Sequence, residues 1–221
     1  ETGESSNIFL QYIADITVER CSHDSSRSPI AVVYGNTVRI IDTTLAFSNR
    51  NTINVFPFRD LGTPPGTDDS TPGMILVEGC TLQPSASGEP YRSRGLNLRS
   101  NDDVPTGYAI QVRDTTFKGC ETDGSILSIS TDNPSDTASA ALIENCLFED
   151  IRHVADTPGE PIEAYIVLYD PVTVIGTTFL PAPDGRSVPF DGQETRDYLS
   201  LGNSILDQCC AFLNPDGDPP Y

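Results

Sequence analysis

An all-β fold of stacked repeats, three short strands to a repeat, is what this 221-residue chain predicts. Three observations carry that reading. First, the phrase Ile110-Gln-Val-Arg-Asp-Thr-Thr-Phe117 recurs in disguised form, with copies ending at Val18, Leu45, Leu82, Phe117, Phe148, Phe179 and Leu206. Second, the residue three places before each anchor is Asp15, Asp42, Gly79, Asp114, Asn145, Gly176 or Asn203, all types that tolerate a left-handed backbone. Third, the residue five places before it is always apolar: Ile13, Ile40, Val77, Val112, Ile143, Val174 and Leu201. A strand, a sharp corner and a second strand with alternate side chains turned inward satisfy all three. Anchors fall 27 to 37 residues apart, a period that marks stacked repeats. A further apolar run precedes most copies, at Ala31–Tyr34, Ile53–Phe56, Leu96–Leu98, Ile126–Ile129 and Tyr165–Leu168. Together these predict a single three-sided parallel β-helix of about seven coils. A β-sandwich would not repeat one bend residue at one register seven times.

In chain order, Glu1–Gly3 reads as an expression scar, residues 4–213 as the β-helix domain and residues 214–221 as a linker tail. Asn7 to Val18 is expected to form a first, incomplete coil, followed by a polar corner at Cys21–Ser28. Coil two runs through Tyr34-Gly-Asn36 almost without insertion. Coils three, four and five carry insertions between their first and second strands, at Arg59–Pro72, Asn101–Gly107 and Asp132–Ser139. Coil six has only Asp170-Pro171 there. A second set of loops follows the anchor strands, at Gln83–Arg94, Arg152–Pro161 and Pro181–Ser187.

The six cysteines test the stacking. Cys80 and Cys146 share the column two places before the anchor, on coils three and five. Two steps of about 4.8 Å separate them by more than a disulfide can span, so both are expected as buried free thiols. Cys21, Cys120 and Cys209 read as a second column on distant coils, unable to pair with one another. Cys209 and Cys210 are adjacent, leaving either a vicinal bond or a partner beyond this chain.

A formal charge of −19, with Lys118 the only lysine, argues against duplex nucleic acid and anionic lipid, whose phosphates demand basic residues. It suits a solvated acidic surface or a field that attracts cations and basic partners. No run reaches the roughly 18 consecutive apolar residues of a membrane span, so membrane attachment would need a segment beyond this chain. A secreted or cell-surface setting is expected.

On these repeats the chain resembles the right-handed parallel β-helix superfamily of pectin and pectate lyases. The resemblance covers nearly the whole length and implies right-handed winding. Polygalacturonase-like members carry Asn-Thr-Asp, Asp-Asp, Gly-His-Gly and Arg-Ile-Lys. Here Asp102-Asp103 matches the pair but lies in a loop, Thr131-Asp-Asn133 is not Asn-Thr-Asp, and neither His23 nor His153 is flanked by glycine. Lyase-like members use acidic calcium ligands with an arginine base, which Arg99 near Asp102 and Asp103 imitates.

Stacking of the first loop set would gather Asp68, Asp69, Asp102, Asp103, Asp132 and Asp136 on one edge. Clustered carboxylates suit Ca²⁺, the one cofactor the sequence suggests, although Asp also serves simply as a turn residue. No calcium-loop spacing is present. The second loop set offers Tyr91, Arg92, Arg94, Arg99, Arg152 and Arg186 beside the first-strand face, where the related enzymes hold sugar polymers. These arginines serve equally to offset the acidic surface. With no catalytic residues assigned, the expectation is a non-catalytic extracellular binding module. A receptor or adhesin ectodomain of that kind would hold a glycan, a protein or a small chelate. The alternatives are a polysaccharide lyase or hydrolase with an atypical acidic and arginine site, and a structural spacer.

Overall fold

The computed structural model describes residues 8–24, 29–47, 51–56, 74–84, 95–100, 110–122, 126–131, 141–153, 166–168, 172–180, 205–208 and 211–212. Those residues are all-β: parallel strands in three sheets, with no helix among them. No helix there is long and apolar enough to cross a membrane.

Two long strands open the chain, β1 (Ile8–Glu19) and, after the two-residue β2 (Ser22–His23), β3 (Ile30–Ile41). They pair in parallel along their length, from Ile8↔Ile30 to Glu19↔Ile41. Beyond β3 the 11-stranded sheet forks into two ladders. The front half of β3 carries the first ladder: β5 (Ile53–Phe56), β8 (Leu96–Ser100), β12 (Leu127–Thr131) and β16 (Ile166–Leu168). Its rear half carries the second: β6 (Met74–Glu78), β9 (Ile110–Arg113), β13 (Ala141–Glu144), β17 (Val172–Ile175) and β19 (Ile205–Gln208). The third ladder stacks β2 on β4 (Thr44–Ala46), β7 (Thr81–Gln83), β10 (Thr116–Lys118), β14 (Leu147–Glu149), β18 (Thr178–Leu180) and β20 (Ala211–Phe212). A small ladder joins β11 (Glu121–Thr122) to β15 (Arg152–His153).

Strand alternation decides what enters the core. Ile30 and Val32, Ile53 and Val55, Leu96 and Leu98 occupy equivalent inward positions on the first ladder, all essentially buried. Val38 and Ile40, Ile75 and Val77, Ile110 and Val112, and Ala141 and Ile143 do the same on the second. Leu45, Leu82, Phe117 and Phe148 close the third. One continuous hydrophobic cluster results. Parallel, in-register stacking sets like on like, so Phe117 and Phe148 lie face to face at 4.5 Å between centroids and 6° between planes.

The corner between the second and third ladders is where the sequence motif acts. Asp42, Gly79, Asp114, Asn145 and Gly176 have φ of 48°, 63°, 46°, 52° and 59°. The first four of these bends continue the stacking by hydrogen bonds to the next repeat, such as Asp42 N to Glu78 O at 2.9 Å and Asn145 N to Ile175 O at 2.9 Å. Where Gly follows Asp or Asn in the stack, the acidic or amide side chain leans into the space a Cβ would fill. Asn145 Oδ1 stands 2.6 Å from such a position on Gly176.

The first and last copies of the motif need correction. Val18 pairs with Ile40, not with an anchor, and His23 is the residue opposite Leu45. The first bend is therefore Arg20, at φ 53°, and Asp15 lies inside β1. The first repeat is complete in strands rather than partial, because β1 and β2 contribute to all three ladders. At the other end Leu206 pairs with Thr173 on the second ladder, and Phe212 faces Phe179 as the seventh anchor. Asn203 lies outside the described residues. The physical cause is that Arg20 holds a left-handed corner that residue type alone assigned to Asp, Asn or Gly. Hydrogen bonding from its own N to Ile41 O at 3.0 Å and an ion pair with Glu19 offset a penalty of about 1–2 kcal/mol.

Candidate functional site

Of the acidic edge, none of Asp68, Asp69, Asp102, Asp103, Asp132 and Asp136 falls among the described residues, nor do Tyr91, Arg92, Arg94 and Arg186 of the basic set. What the structure describes is where these loops are rooted. The first loop set leaves the ends of β5, β8 and β12 and re-enters at β6, β9 and β13. These ends are stacked neighbours: Val55 pairs with Leu98, Leu98 with Ile129, Ile75 with Ile110, and Ile110 with Ala141. In the two repeats before them, β1 and β3 cross the same corner as single unbroken strands. Three insertions in consecutive repeats thus spring from one corner.

Arg99 and Arg152 stand on different ladders. Arg99 lies on β8 of the first ladder, opposite Ser130, while Arg152 lies on β15 beside Glu121. The first ladder also holds a polar feature that sequence reading missed. Asn54 and Asn97 are paired partners at an outward register, and Asn97 Nδ2 donates to Asn54 Oδ1 at 2.8 Å. The available signal was that both occupy the second position of their apolar run. An amide stack of this kind supplies donors and acceptors on a strand face.

Two ion pairs link neighbouring strands of the other two ladders. Arg113 Nε lies 3.2 Å from Glu144 Oε2 across the second ladder, an ion pair by distance whose Nε–H is not aligned for a hydrogen bond. Lys118 Nζ meets Glu149 Oε2 at 3.1 Å across the third. Pairs this exposed contribute roughly 0.2–1 kcal/mol. Among the described residues no three His, Cys, Asp or Glu side chains converge to hold a metal ion.

The interior column two places before the anchor has unexpected chemistry. Cys80 and Cys146 are free and buried there, as the spacing predicts. Cys21 does not share a column with Cys120; the corrected register aligns it with Thr43, since Ser22 pairs with Thr44. The column therefore runs Cys21, Thr43, Cys80, Thr115, Cys146, Thr177. Each threonine hydroxyl donates to the carbonyl two residues earlier, at 2.8 Å for Thr43 to Ile41 and for Thr115 to Arg113. It also lies 3.4 Å from the backbone N of the cysteine in the preceding repeat, at Cys21, Cys80 and Cys146 alike. Each buried thiol in turn stands 3.4 Å from two carbonyls, Ile40 and Glu78 for Cys80, Val112 and Glu144 for Cys146. Cys120 is buried and in no disulfide, and Cys21 is in no disulfide and exposed.

Burial pushes the Cys80 thiol up to about 11 and the Cys146 thiol up to about 12, with Asp42, Glu78, Asp114 and Glu144 adding to the effect. These are inert structural thiols, not nucleophiles. They make stability pH-dependent. The folded state holds its protons above the ordinary value of 9.0, so the contribution is full below that pH and is lost as pH rises towards 11–12. Stability should fall by about 1.4 kcal/mol per pH unit per thiol across that window. Urea midpoints compared between pH 8 and 11 check this against a Cys80→Thr/Cys146→Thr variant, which removes both thiols while using the column's own alternate residue. The variant's slope should be shallower; equal slopes would show that the thiols do not titrate this way.

Comparison with protein-family models, curated proteins and solved structures found no match for the chain.

Proposed function

We propose that the three ladders close into a right-handed, three-sided parallel β-helix, and that this solenoid is a non-catalytic extracellular binding module. Its ligand is a glycan, a protein or a small chelate held by the corner loops and the first-strand face, in a secreted or cell-surface setting. The observation that carries the reading is the common root of three unequal insertions on strand ends stacked in register. A uniform, rigid core with variable loops at one corner is how scaffolds present recognition surfaces. The Asn54–Asn97 amide pair adds a polar strip to the neighbouring strand face. Glycosidic hydrolysis needs two carboxyls held at a set separation, and Asp102-Asp103, the pair that matches a family motif, is expected from the sequence in a loop rather than on a strand.

Passage over immobilised pectate, alginate and sulfated glycans tests this, at about 0.15 M salt so that the −19 charge is screened beyond roughly 8 Å. Retention of the protein without release of shortened chains is the expected result. Calcium at millimolar concentration should strengthen retention and raise the melting temperature if the six loop aspartates act together, because a ligand that binds only the folded form must raise it. Release of unsaturated or reducing ends would replace this reading with a lyase or a hydrolase.

A further inference from the structure

We draw no further inference here: the strongest candidate, the outward face of the first ladder around the hydrogen-bonded Asn54–Asn97 pair, belongs to the ligand face already proposed, and nothing in the structure shows what covers it.

Discussion

Replacing Gly95 by alanine should destabilise the chain by about 3 kcal/mol or more, the sum of a left-handed backbone penalty and a disrupted backbone hydrogen bond. Gly95 sits at φ 49° at the start of the first ladder, where a Cβ would drive into the carbonyl oxygen of Ile126 in the next repeat. That oxygen cannot move aside cheaply, because it accepts from Leu96 N at 2.8 Å. Gly95 O in turn accepts from Thr52 N at 2.6 Å and Ile53 N at 3.1 Å, so any shift passes to the repeat before. Gly79→Asn is the control. Gly79 has the same kind of φ, but its close neighbour is the Asp42 carboxylate, which can swing, and Asn145 shows that this column accepts an amide. Urea unfolding of both variants should separate them by about 2 kcal/mol; equal losses would mean that backbone conformation, not the Ile126 contact, decides the cost.

Phe148→Ala should lose about 3–5 kcal/mol. Phe148 is fully buried and stacked on Phe117, and the backbone of the third ladder continues through Phe179 to Phe212. Truncation removes one ring and exposes a face of its neighbour to a void, in a chain whose total stability is of order 5–15 kcal/mol. Phe148→Leu should recover more than half of the loss, because Leu45 and Leu82 fill the same position in other repeats. Thermal melts of the two variants give the comparison. A loss below about 1 kcal/mol for Phe148→Ala would mean that the ladder is not tightly packed at that level.

The middle of the fold was legible because two constraints coincide there. A left-handed corner selects Asp, Asn or Gly, and a period-2 strand selects an apolar residue five places before the anchor. From Asp42 to Gly176 both hold and the register is right. The first repeat failed because local residue type is a preference that hydrogen bonds from a neighbouring repeat can override. Arg20 sits left-handed between Ile41 and Glu19, and β1 continues past the bend that Asp15 suggested. The same five-residue slip hid the alternation of cysteine and threonine, since it removed Cys21 from the column it heads. The candidate site was less legible. Loop aspartates and arginines carry no periodicity, so sequence could name them without showing whether they meet, and Arg99 and Arg152 prove to stand on different ladders. The Asn54–Asn97 pair, by contrast, was hidden in an apolar run that reads as core.

Sequence by itself determined that this chain is built from stacked parallel strands, that Cys80 and Cys146 lie in one interior column, and that its formal net charge is −19. These follow from period, volume and net charge, which no arrangement of the chain can alter. Only the tertiary structure decided which residue opposes which: that β1 and β3 turn the first corner unbroken, that Arg20 occupies the first bend, and that Phe9 and Ile13 are exposed. Register is a property of two strands at once. A slip of a few residues changes little in the local preferences of either strand, but it changes every hydrogen bond and side-chain contact between them.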